Sequence, residues 1–114
     1  DRRTAVNSVF KNCELEIDYS AGLAYLKGEE LHLTPIEYKL LCLLSRNVGK
    51  VLTHTFITQQ IWGQCSENDI ASLRVFMATL RKKLEPEKNG VQYIQTHIGI
   101  GYRMIRIESN SLAR

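Results

Sequence analysis

The sequence predicts an α+β fold in which a small antiparallel sheet comes first, three helices follow and a β-hairpin closes the chain. Three observations carry this. Leu15 and Ile17, then Leu23 and Tyr25, alternate with polar or small residues in two short runs, the two-residue period of strands. Between Pro35 and Glu85, apolar residues recur at three- and four-residue intervals inside three segments bounded by helix start and stop signals. Residues 91–96 and 102–107 then return to strand composition on either side of Gly99 and Gly101.

Residues 1–10, DRRTAVNSVF, are polar without sustained periodicity, so residues 1–8 read as a linker remnant and order begins near Val9. Asp18 to Gly22 supply turn chemistry between the first two runs, and Lys27-Gly28-Glu29-Glu30 makes a second turn before a strand at Leu31-His32-Leu33. Thr34-Pro35-Ile36-Glu37 places a capping hydroxyl, a proline at the first helical position and a glutamate at the third, so a helix starts at Pro35. Ile36, Leu40, Leu41, Leu43 and Leu44 form its apolar stripe, which runs to Asn47 before Gly49. Thr53 caps a shorter helix with Ile57, Ile61 and Trp62 facing inward and Gly63 closing it. Only residues 48–52 link these two helices, so they must pack together.

A polar loop over residues 64–68 precedes a third helix, expected over residues 70–85 and halted by Pro86. Leu73, Met77, Leu80 and Leu84 fall within about 60° of one another on a helical wheel and form its buried stripe. Ala71, Val75, Ala78, Thr79 and Lys82 lie opposite, Arg74 and Arg81 flank the stripe, and no acid occurs from Ile70 to Leu84. The last two strands enclose a tip at His97-Ile98-Gly99-Ile100-Gly101, and residues 108–114 read as a flexible tail.

Composition bounds the function. A chain of 114 residues, 44% hydrophobic and 24% charged, has room for one domain, here residues 9–107, with a core of its own. Its longest uncharged apolar stretch, Leu40 to Leu44, is far short of the roughly 20 residues of a membrane helix, so no membrane partner is expected. The chain opens at Asp1 without a leader pattern and reads as a piece of something longer. Cys13, Cys42 and Cys65 make neither a disulfide framework nor a CxxC pair, which points to a reducing, cytoplasmic setting. Cys42, inside an apolar helical run, reads as a buried thiol.

The net charge of +3 is uneven. Residues 1–69 hold seven Lys/Arg against nine Asp/Glu, whereas residues 70–106 hold seven against two. A basic second half is the footprint of a polyanion-binding surface, although a solvated basic face would give the same count.

Motifs for catalysis are missing. Gly99-Ile100-Gly101 leads into a strand rather than a helix, so it lacks the helix N-terminus that holds a pyrophosphate. Gly49-Lys50 is followed by Val51 where a phosphate loop needs Ser or Thr. His32, His54 and His97 are far apart and belong to no HExxH or His/Cys cluster, and there is no GxSxG. Neither an enzyme nor a cofactor nor a metal is expected.

Three helices, the third with a basic outer face, followed by a hairpin, is the order of a winged helix-turn-helix. A helix is about as wide as the major groove of B-DNA, so Ser72, Arg74, Val75, Arg81, Lys82 and Lys83 become candidates for phosphate or base-edge contact, with His97 near the tip. A module whose third helix meets an acidic protein would carry the same features; salt-sensitive binding to random duplex DNA separates the two.

Four blocks in order, Leu31-x-Leu33-Thr34-x-x-Glu37-x-x-Leu40-Leu41, Ile61-Trp62-Gly63, Leu80-Arg81-x-Lys83-Leu84-Glu85 and Gly99-x-Gly101-Tyr102-Arg103, resemble the OmpR/PhoB-type effector domain of bacterial two-component response regulators. The stretch from Trp62 to Met77 is similar to the potassium-transport regulators of that family. The resemblance implies a four-stranded N-terminal sheet and a C-terminal wing, in a domain that follows a phosphorylatable receiver served by a sensor histidine kinase. It implies transcription regulation, tandem dimers on direct-repeat DNA sites, and a loop that touches RNA polymerase, here Gly63, Gln64, Cys65, Ser66, Glu67, Asn68 and Asp69. Recognition-helix contacts carry over to Ala71, Phe76, Thr79 and Arg81, and wing contacts to Thr96 and Ile98. Two of these depart from the family pattern: Ala71 is tiny, and Ile98 stands where many members place an arginine.

Overall fold

A computed structural model describes residues 9–64, 66–86 and 90–107. The expected linker over residues 1–8 and tail over residues 108–114 lie outside the described residues. Two compact units divide the chain, one holding the first four strands with Arg106 and Ile107, the other holding Leu33 to Ile105.

In the first unit β1 (Val9–Asn12), β2 (Leu15–Asp18), β3 (Leu23–Leu26) and β4 (Glu29–Glu30) form an antiparallel meander in that order. Register places Phe10 opposite Ile17 and Ile17 opposite Ala24, so one face carries the apolar set. Leu15, Ile17 and Ala24 are buried. Lys27 and Gly28 both take positive φ, which lets a two-residue turn follow the twist of β3 and β4. The strand expected at Leu31-His32-Leu33 is instead the two-residue β4, and the bond from Leu31 N to Ala24 O, 2.8 Å, carries the pairing one residue further. The Asp18 carboxylate accepts from Ser20 Oγ at 2.8 Å and from Ala21 N at 3.1 Å. Those bonds, the Ser20 hydroxyl foremost, hold its pKa below the usual carboxylate value. Asn12 is buried, and its Oδ1 accepts from Ile107 N at 2.8 Å while the Arg106 guanidinium lies 5.2 Å from the Phe10 ring centre.

The second unit contains α1 (Pro35–Arg46), β5 (Val51–Thr53), α2 (His54–Trp62), α3 (Glu67–Leu84), β6 (Ile94–His97) and β7 (Gly101–Met104). The capping box forms as the sequence dictates: Thr34 N donates to Glu37 Oε1 at 3.0 Å and Glu37 N to Thr34 Oγ1 at 3.3 Å. Leu40, Leu41 and Leu44 of α1, Ile57 of α2 and Leu73, Met77, Leu80 and Leu84 of α3 are buried, joined by Tyr93, Ile94 and Met104. In α2 the inward side chains differ from expectation, since Ile61 and Trp62 are only half-buried while Thr58 is fully buried and donates to His54 O at 2.9 Å. Cys42 is buried, and desolvation pushes its thiol pKa up, as in an inert core cysteine.

Three departures change the frame of the site. Residues 48–52, expected as a plain link, contain β5, whose Leu52 pairs with Tyr102, so the hairpin is part of a three-stranded sheet ordered β5-β7-β6. The third helix begins at Glu67 rather than Ile70, because the Ser66 hydroxyl caps it by accepting from Asp69 N at 3.2 Å. Glu67, Asn68 and Asp69 are thus its first turn, where acids suit the positive end of the helix dipole, and only residues 63–66 separate α2 from α3. Strand β6 starts at Ile94 instead of Val91, since the Tyr93 and Ile94 amides donate to Glu85 Oε2 at 2.8 and 2.9 Å.

The two hairpin glycines have separate reasons. Gly99 takes φ +76°, the left-handed turn at the tip. A Cβ on Gly101 would lie 1.8 Å from the Leu52 carbonyl oxygen, so β5 and β7 approach closely only with glycine there.

Candidate nucleic-acid interface

Burial of the Leu73, Met77, Leu80 and Leu84 stripe fixes which way α3 faces. Ala71, Ser72, Arg74, Val75, Ala78 and Lys82 are consequently exposed, Val75 at 65%. Thr79, expected on the open face, is half-buried, and its hydroxyl donates back to Val75 O at 3.1 Å. Phe76 is also half-buried, its ring 6.1 Å from that of Trp62, so its surface is shared between the helix pair and solvent.

The basic residues divide by partner. Lys83 Nζ lies 2.7 Å from Glu37 Oε1, and that carboxylate is only 2% exposed. Burial works to raise the Glu37 pKa, but the Lys83 ammonium and the Thr34 hydrogen bonds outweigh it and leave the group below its ordinary value. Arg81 Nη1 donates to Thr96 Oγ1 at 2.5 Å, which ties α3 to β6, and its Nε lies 3.8 Å from Glu85 Oε1. Arg103 donates to Gln95 across the wing. Arg74 and Lys82 point from the open face.

At the tip Ile98 is 92% exposed and Ile100 53%. His54 N, at the start of α2, donates to Ile100 O at 3.1 Å, and Ile100 N donates to His97 O at 2.8 Å. Between α3 and the wing lies a crevice of about 250 Å³ lined by His54, Arg74, Thr96, His97, Ile98, Gly99 and Tyr102. Of the seven residues expected to form a polymerase-contact loop, Gly63 is the left-handed C-cap of α2, Gln64 and Ser66 are exposed, and Glu67, Asn68 and Asp69 belong to α3; Cys65 lies outside the described residues. The described residues contain no group of three or more His, Cys, Asp or Glu side chains able to hold a metal ion, and no helix among them is long and apolar enough to cross a membrane.

Sequence reasoning missed Glu37 and Glu85 as organisers of the site. Glu37 was legible only as a capping residue, and its bond to Lys83 spans 46 positions. The acid at Glu85, just past a basic run, is the one local signal for the other.

An exposed helix set against a three-stranded wing by α1 and α2 defines a winged helix-turn-helix. The family described as "Transcriptional regulatory protein, C terminal" matches residues 28–104, and the chain belongs to it, as an OmpR/PhoB-type DNA-binding domain of the response-regulator class. It is similar to the transcriptional regulatory protein KdpE of Staphylococcus aureus, 42% identical over 101 residues, covering 88% of this chain and 44% of that protein. The KDP operon transcriptional regulatory protein KdpE of Escherichia coli is 38% identical over 102 residues, covering 90% of this chain and 45% of the relative. The chain thus spans less than half the length of these relatives. Among solved structures, the DNA binding domain of CpxR from E. coli superposes with a TM-score of 0.75 at 27% identity, covering 86% of this chain and 96% of that one.

Proposed function

We propose that this domain binds specific sequences of double-stranded DNA to regulate transcription, with α3 in the major groove and the wing on the adjacent backbone or minor groove. The observation that carries this reading is the exposed face of α3 from Ala71 to Lys82, which holds Arg74 and Lys82 and no acid. The acids of α3 sit in its first turn, at Glu67 and Asp69, away from that face's basic end.

On this reading Lys82 and Arg74 meet phosphates, Val75 meets a thymine methyl, and Ser72 and Thr79 offer hydroxyls to base edges. Ala71 leaves room for close backbone approach, while Phe76 supports the helix from its side. Arg81, held by Thr96, presents its remaining donors at the seam between helix and wing. Lys83 serves mainly to neutralise Glu37, so it ranks below Lys82 as a DNA contact. Thr96, His97 and Ile98 form the wing's contact edge, with Ile98 giving an apolar rather than a cationic touch.

The complete protein is read as a cytoplasmic two-component response regulator of the KdpE-like subgroup. A receiver domain phosphorylated by a sensor histidine kinase promotes tandem dimers on direct repeats, and the turn around Gln64 and Ser66, with the first turn of α3, faces RNA polymerase. The relatives named KdpE and the CpxR DNA binding domain support this reading.

The test is a salt titration of binding to duplexes selected from a random library. Arg74→Ala and Lys82→Ala each flatten the plot of log affinity against log salt by about one unit, because each neutralised phosphate contributes about 0.9 to the slope. Wild-type slopes in both variants would remove α3 from the interface.

A further inference from the structure

The crevice between α3 and the wing has a chemistry that groove binding alone does not require. Two imidazoles enter it from different elements, His54 from α2 and His97 from β6, beside the Arg74 guanidinium of α3 and the Thr96 hydroxyl. Among the described residues no carboxylate lines it. Glu85 lies near Arg81, but its oxygens are engaged by Arg81 and by the Tyr93 and Ile94 amides. From β7 the Tyr102 ring stands edge-on to His54, 5.6 Å between centroids at 80°, and burial raises the pKa of its hydroxyl although Arg74 and Arg81 pull the other way, so it stays neutral. His97 Nε2 is shut off from solvent and has no hydrogen-bond partner among the described residues. A buried ring nitrogen without a partner is costly in the free protein.

The charge lining the crevice is therefore set by pH. It is about +1 when both imidazoles are neutral and about +3 when both are protonated. We propose that the crevice seats one backbone phosphate of the bound duplex and that protonation of His54 and His97 tightens this seat, so that DNA affinity rises as pH falls. The inference rests on the reading of α3 as a duplex-binding helix. A bound phosphate favours the charged imidazolium forms, binding takes up protons, and linkage then requires stronger binding at lower pH. His32, the remaining histidine, lies outside the crevice and has no part in this.

Fluorescence anisotropy with a selected duplex at fixed ionic strength reads the effect. Wild type and His32→Gln bind about tenfold tighter at pH 5.5 than at pH 7.5, whereas His54→Gln/His97→Gln changes by no more than about twofold. Equal pH responses in wild type and the double variant overturn the proposal, as does tight wild-type binding that ignores pH. Failure to bind duplex at either pH instead overturns the DNA reading, and the phosphate seat with it. Proton NMR of the wild-type imidazoles needs no variant: the duplex raises the His54 and His97 pKa values by about one unit, the signature of an added negative charge nearby. Absence of that rise, or an equal rise with inorganic phosphate at matched ionic strength, counts against a seat for the DNA backbone.

Discussion

Lys82 and Lys83 are neighbours in sequence and belong to opposite regions of α3. One side of the helix, with Leu80 and Leu84, faces the core and sends Lys83 to a buried carboxylate; the other, with Val75 and Ala78, is open and leaves Lys82 in solvent. A step of about 100° along the wheel separates a residue of the fold from a residue of the surface. Charge alone therefore does not mark an interface residue, and the partner each charge has within the fold decides.

Substitutions sharpen that contrast. The largest effect falls on the inner side, where Leu80 is 0% exposed: Leu80→Ala costs about 2–5 kcal/mol in a denaturant melt, from lost burial plus the cavity left behind. Next comes Lys83→Ala, which leaves the Glu37 carboxylate buried without its cation and costs about 1–3 kcal/mol near neutral pH. This pair also predicts a pH dependence. Because the Glu37 pKa is lower in the folded chain than its unfolded value of about 4.3, its contribution is present above that value and lost as pH falls through the folded one. Melts between pH 6 and pH 3 should accordingly show a shallower decline for Glu37→Gln than for wild type. On the open side, Val75→Ser and Lys82→Ala stay within about 0.5 kcal/mol of wild-type stability. A destabilised Lys82→Ala, or an indifferent Lys83→Ala, would erase the distinction between the two sides.

What the sequence could convey follows the same division. Local chemistry was legible: Thr34-Pro35-Ile36-Glu37 announced α1 to the residue, and the four-residue spacing of Leu73 and Met77 oriented α3 correctly. Non-local chemistry was not. Strand β5 is three residues long, too short for any period to appear, and exists because β7 lies beside it. The Ser66 cap was hidden because Glu67, Asn68 and Asp69 have loop-like composition, although Ser66 and Asp69 stand at capping spacing. Thr79 looked open on the wheel and is half-buried, since a wheel carries no information on what lies alongside the helix. Of the candidate contacts, those on the outward arc of α3 were found by periodicity, whereas the roles of Lys83 and Arg81 depended on partners at Glu37 and Thr96 that only the folded chain brings near.

The close passage of Gly101 beneath the Leu52 carbonyl reaches beyond the local clash it forbids. Because β5 runs straight into α2 and is clamped to β7 at that point, the hairpin cannot swing as a tentacle does; its inclination is inherited from the helical scaffold. Such an arm works as the second jaw of a caliper, its gap from α3 set before any duplex arrives. Loosening that hinge with a longer β5–α2 junction would turn a gauge into a tether.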